Sequence, residues 1–128
     1  MKESLSAGRD EFFPGFVQNF YTAGDEMVAS GAVVNDSIAM CLQSDQDAAL
    51  ACIDAFGTTD FREDLKDVTV PTLVLHGDAD GIVPFEGSGQ RTAATIDGAQ
   101  TVLIEGGPHG VNATHPDEFN KALLDFLG

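Results

Sequence analysis

The chain has 128 residues, enough for one domain with a modest hydrophobic core. Six basic residues against 21 acidic ones leave a formal net charge of −15, which argues against nucleic acid or an anionic membrane as a partner. With 43% hydrophobic residues and no apolar run near the ~18 needed to cross a bilayer, the composition is that of a soluble globular protein. Met1-Lys2-Glu3-Ser4 lacks the apolar core of a signal peptide, so a cytoplasmic location is expected. Cys41 and Cys52 have neither a disulfide-framework nor a zinc spacing, and are expected to be buried free thiols on helix faces.

In chain order, residues 1–56 form a first segment of helices and connectors. Phe12, Phe13, Phe16, Val17, Phe20 and Tyr21 recur at helical spacing, but Pro14-Gly15 interrupts them, which predicts a short or kinked helix. Gly24, Gly31 and Asn35 mark loops. Asn35 or Asp36 is a capping candidate for a short apolar face of Ile38, Cys41 and Leu42. Ser44 followed by Asp47 predicts another helix start, with Ala48, Ala49, Cys52, Ile53 and Phe56 on one stripe and Gly57-Thr58-Thr59 as its end.

Residues 57–128 form the second segment. Phe61 and Leu65 frame a polar link to Pro71, which favours extended backbone before it. Thr72-Leu73-Val74-Leu75 then suits a strand buried on both faces. It empties into His76-Gly77-Asp78-Ala79-Asp80-Gly81, a loop carrying two carboxylates. Gln90 to Ile96 is a predicted helix closed by Asp97-Gly98, and Thr101-Val102-Leu103-Ile104 is a second strand ending in Glu105-Gly106-Gly107-Pro108-His109-Gly110. The last element has the clearest period: Phe119, Ala122, Leu123, Phe126 and Leu127 share one helical face, with Pro116, Asp117 and Glu118 suited to its first turn. Strand, helix, strand, helix predicts a right-handed parallel crossover. A parallel pair normally has further strands beside it, so more sheet is expected from elsewhere.

Neighbouring parallel strands lie about 5 Å apart, so the two strand-end loops can bring Asp80 and His109 into hydrogen-bond reach. A carboxylate holding one imidazole nitrogen leaves the other free as a general base near neutral pH. That is the acid-and-base part of a serine–histidine–acid relay. Asp78 reads as a turn residue, His76 as structural, and His115 as part of the last helix start. A metal site built from His76, Asp78, Asp80, His109 and His115 would have none of the usual ligand spacings.

At these residues the chain resembles the α/β-hydrolases of the cofactor-free haloperoxidase and esterase type. The matching segments are Asp60-Phe61-Arg62-Glu63-Asp64-Leu65, VPTLVLHGDADGIVP from Val70, GSGQRTA from Gly87, VLIEGGPHGVNATHPDEFNKALLDFL from Val102, and more loosely ALACIDAF from Ala49. The resemblance implies an α/β chain that is the C-terminal part of the hydrolase fold. Residues 1–56 would be a helical cap-like segment, and 57–128 the last two parallel strands with their helices. It implies Asp80 as the triad acid and His109 as the triad base, with no cofactor and no metal. It also implies a small ester or lactone as substrate, with peracid formation as a possible side activity, which is the origin of the haloperoxidase name.

The chain has no G-x-S-x-G. Ser4-Leu5-Ser6-Ala7-Gly8 shares only the last three positions and follows no strand, and Ser88, between glycines, reads as a capping or surface residue. The nucleophile is therefore expected outside this chain, which alone should be inactive. Its partner would be the upstream half of such a hydrolase or a second copy. Two alternatives stand beside this: a non-catalytic truncated or split interaction module, and a haloacid-dehalogenase-type phosphatase using the D-x-D-G of Asp78 to Gly81 with magnesium.

Overall fold

The computed structural model describes residues 1–128. It begins with two helices, α1 (Lys2–Ala7) and α2 (Arg9–Phe20), then a two-residue antiparallel ribbon of β1 (Thr22–Ala23) and β2 (Glu26–Met27). Helices α3 (Gly31–Cys41) and α4 (Gln46–Thr58) complete the helical segment. The remainder is β3 (Leu73–Gly77), α5 (Gly89–Thr95), β4 (Gln100–Ile104), the single turn α6 (Val111–Thr114) and α7 (Pro116–Leu127). Short 3-10 turns at Asp64–Asp67 and Phe85–Gly87 flank β3.

Helix α2 continues through Pro14 to a length of 12 residues, longer than the short helix that was one of the two expectations. Phe13 and Val17, on either side of the proline, are both buried. Their burial contributes about 2 kcal/mol each, which offsets the roughly 3 kcal/mol that an interior proline costs. Val17 packs with Tyr21 and Val34, ringed by Phe16, Phe20, Val33, Ile38 and Cys41, so α2 and α3 share one apolar core. The Tyr21 hydroxyl meets Ser37 Oγ at 2.9 Å, satisfying the polar tip of a buried ring.

The cap of α3 is Ser30, whose Oγ accepts from Val33 N; Asn35 and Asp36 lie inside the helix rather than at its start. The cap of α4 is Asp45, one residue beyond Ser44, and its Oδ1 accepts from Ala48 N at 2.9 Å. Asp45→Ala should therefore destabilise the chain by about 1 kcal/mol, read as a lower urea midpoint at unchanged slope.

Helix α4 packs mainly along α1, which turns the expected apolar stripe. Ala49, Leu50 and Ile53 are half-buried, whereas Phe56 stays 79% exposed. The thiols are free as expected, but they are not both buried: Cys41 is half-buried and Cys52 is exposed. Burial raises the Cys41 pKa, which keeps it a thiol. On the surface, the Arg62 guanidinium beside Asp60 holds that carboxyl below the usual carboxylate range.

β3 and β4 pair in parallel, Leu73 beside Gln100 through Gly77 beside Ile104. The expectation of a strand buried on both faces is not met. Leu73 to His76 are half-buried and only Gly77 is buried, because this sheet has two strands and limited helical cover. Helix α7 spans the predicted residues, with Pro116 at its first turn. No helix is long and apolar enough to cross a membrane.

The accessible surface is 8318 Å². A compact monomer of 13.5 kDa exposes about 6,500 Å². The excess, about 1,800 Å², exceeds the ~800 Å² that one partner buries in a standard interface. Val70, Phe61, Leu124 and Leu127 are among the large apolar side chains left exposed.

Candidate active site

The site is built where the two parallel strands end. Beyond β3 the backbone stays with the neighbouring loop: Asp78 N donates to Ile104 O and Ala79 N to Gly107 O, both at 3.1 Å. Asp78 Oδ1 accepts from Gly106 N at 2.7 Å, so this acid is a tie between the two loops as well as a residue of the turn after β3. Gly77 lets the loops approach: a Cβ there would lie 2.0 Å from Gly107 O and 2.5 Å from Gly107 C.

Asp80 is held from both sides. Its Oδ1 accepts from Ile82 N at 2.9 Å and Val83 N at 2.8 Å, and its Oδ2 lies 2.7 Å from His109 Nδ1. The Asp80 side chain is 4% exposed, that of His109 29%. An ionised carboxylate only accepts, so Nδ1 carries the hydrogen. His109 Nε2 is then a lone-pair nitrogen with no hydrogen-bond partner in the chain. Such a couple can take a proton at Nε2 while the carboxylate stabilises the resulting imidazolium.

The helical segment reaches this couple directly. Ala23 forms an isolated antiparallel bridge with Asp80. Gly110 N donates to Phe20 O at 2.9 Å, and the Phe20 ring meets the His109 ring edge-to-face with centroids 4.5 Å apart. None of these three contacts was foreseen residue by residue from the sequence, where Phe20 carried only a helical period.

The remaining candidates separate. His115 stands at the start of α7, with Nδ1 2.9 Å from Thr114 Oγ1. Of the five residues weighed as a metal set, Asp78 turns to Gly106 N and His115 to Thr114, while His76, Asp80 and His109 adjoin one another. Ser6 lies exposed in α1, and Ser88 precedes α5 with its hydroxyl donated to Pro84 O at 2.8 Å. His76 sits against Asp80, with Nε2 3.3 Å from Oδ2.

The solved structure of a bromoperoxidase from Bacillus anthracis superposes with a TM-score of 0.96 at 42% identity, over 98% of this chain and 46% of that one. The fold is thus the C-terminal portion of an α/β-hydrolase. In sequence, the chain is 35% identical over 99% of its length to the non-heme chloroperoxidase CPO-A1 of Kitasatospora aureofaciens, covering 47% of that protein. It is also 44% identical over 73 residues to the bifunctional esterase/perhydrolase DCH of Acinetobacter calcoaceticus, which is 57% of this chain and 26% of that one. No family model matches. The chain belongs to the non-heme haloperoxidase and esterase family of α/β-hydrolases, of which it carries the C-terminal half. It spans about half the length of the curated relatives it matches over nearly all of its own.

Proposed function

We propose that this chain supplies the acid and base of a serine hydrolase acting on carboxylic esters or lactones, the serine coming from polypeptide outside these 128 residues. The observation that carries this is the 2.7 Å contact between His109 Nδ1 and the buried Asp80 Oδ2, formed at neighbouring strand ends. In the proposed reaction a serine hydroxyl attacks the ester carbonyl and His109 Nε2 takes its proton. Asp80 holds the imidazole tautomer and stabilises the imidazolium, which then protonates the departing alcohol. Water releases the acid from the acyl-enzyme. Hydrogen peroxide in place of water would release a peracid, in keeping with the perhydrolase and chloroperoxidase names of the relatives.

Residues 1–56 act here as a cap over the site, a role supported by the contacts of Phe20 and Ala23 with the two loops. The excess exposed surface supports an upstream hydrolase half as the partner, its strands extending the two-stranded sheet. Two free thiols accord with a reducing cytoplasmic setting.

The test is an assay with p-nitrophenyl acetate on the purified chain alone and after co-expression with the upstream half of a chloroperoxidase relative. The lone chain should show no turnover above background. The assembled pair should be active and lose activity when the partner's serine is replaced by alanine. Full turnover by the lone chain would refute the reading, and a stable assembly without activity would favour a non-catalytic interaction module.

A further inference from the structure

We infer that His76 is a positioning residue that aims the Asp80 carboxylate at His109. This role presupposes the hydrolase reading for its purpose, but its geometry stands by itself. His76 is the penultimate residue of β3, beside Leu103 in the parallel register, and its side chain is 14% exposed. Its Nε2 lies 2.9 Å from Val83 O and 3.3 Å from Asp80 Oδ2. Both are acceptors, and a lone pair there would face two oxygens, so Nε2 carries a hydrogen.

Val83 thus takes part twice. Its N–H holds Asp80 Oδ1 at 2.8 Å, and its carbonyl is held by His76. Asp80 Oδ2 lies between two imidazole nitrogens, at 2.7 Å from His109 and 3.3 Å from His76. This matters because the terminal torsion of an aspartate is broad, without sharp staggered wells. The two backbone amides anchor only Oδ1, and Oδ2 turns together with it about the Cβ–Cγ bond. The imidazole of His76 limits that turn, both by holding the Val83 carbonyl and by facing Oδ2 itself.

The ring cannot easily swing away. The Phe85 ring lies 5.5 Å from it, centroid to centroid, and the buried Gly89 backs it closely enough that a Cβ would stand 2.9 Å from His76 Nδ1. A residue that merely filled space would not need a hydrogen-bearing nitrogen at this point; an apolar side chain would serve.

The reporter is the His109 Nδ1–H proton, observed by ¹H–¹⁵N NMR on the chain itself, well below its unfolding midpoint. The unsubstituted chain should show this proton downfield and protected from exchange. In His76→Ala it should be lost to exchange, while backbone amide signals outside residues 76–89 stay in place. His76→Gln, which returns an N–H close to the Nε2 position, should restore it. Gly89→Ala, which drives a methyl into the ring, should weaken it. An unchanged resonance in His76→Ala overturns the inference, as does failure of a folded His76→Gln to retain it. If His76→Ala does not fold, the Gln and Gly89→Ala variants decide by the same signal. Failure of the hydrolase reading would appear in ester turnover and leave this signal untouched, so the two are separable.

Discussion

His109→Ala, introduced into this chain and assembled with an upstream hydrolase half, is expected to lower kcat for an ester by about 10⁴-fold or more. The reason is the division of work at the imidazole. Nδ1 is committed to Asp80 Oδ2 at 2.7 Å, so only Nε2 can receive the nucleophile's proton and return it to the leaving group. Alanine removes both transfers at once. Asp80→Asn should cost a comparable factor for a different reason. An amide in place of Oδ2 can present N–H to His109 Nδ1, which favours the tautomer with its hydrogen on Nε2, the wrong one for a base. The two losses should not add in the double variant, because they disable one unit. KM should change far less than kcat in each, since neither group is needed to hold the ester in its ground state. Single-residue losses below 10-fold, or losses that multiply, would show that the pair has no shared role in the chemistry.

Gly77→Ala should be the most damaging single methyl in the chain. The added Cβ would meet Gly107 O at 2.0 Å, Gly107 C at 2.5 Å and Pro108 O at 2.8 Å. These are backbone atoms and no rotamer change relieves them, so the strand-end loops must part. A cost of about 3 kcal/mol or more is expected, at or above the upper end for overpacked cores. It should appear as a lowered urea midpoint. Parting the loops also separates Asp80 from His109, because the ties from Asp78 N, Ala79 N and Asp78 Oδ1 all cross the same gap. The variant should therefore lose turnover in the assembled enzyme even where it remains folded. A stability change under about 0.5 kcal/mol, the range of a neutral surface substitution, would show that the loops do not pack this closely.

Elements with a long or well-bounded signal were legible before any coordinates. Helix α7 showed its face over three turns, and β3 and β4 were apolar runs between turn residues. What escaped was short or decided by partners. The two-residue strands β1 and β2 are too brief to alternate, and six-residue α1 offers little more than one turn of pattern. The α3 cap was misplaced because Asn35 and Asp36 have the chemistry of a cap, yet Ser30 stands where the backbone turns extended. Pro14 was read as shortening or kinking α2, since a local rule cannot weigh the burial of Phe13 and Val17 beside it.

For the site, the amino-acid order alone determined that Asp80 and His109 would follow adjacent parallel strands, and strand spacing then determined that they could touch. The hydrolase kinship was likewise readable in the linear motifs. Only the tertiary structure brought His76 Nε2 to 3.3 Å from Asp80 Oδ2 and set the Phe20 ring edge-to-face with His109. Those outcomes depend on how loops and a distant helix end are brought together. Side-chain direction at a loop is set by hydrogen bonds to non-neighbouring backbone, and periodicity along the chain carries no record of those partners.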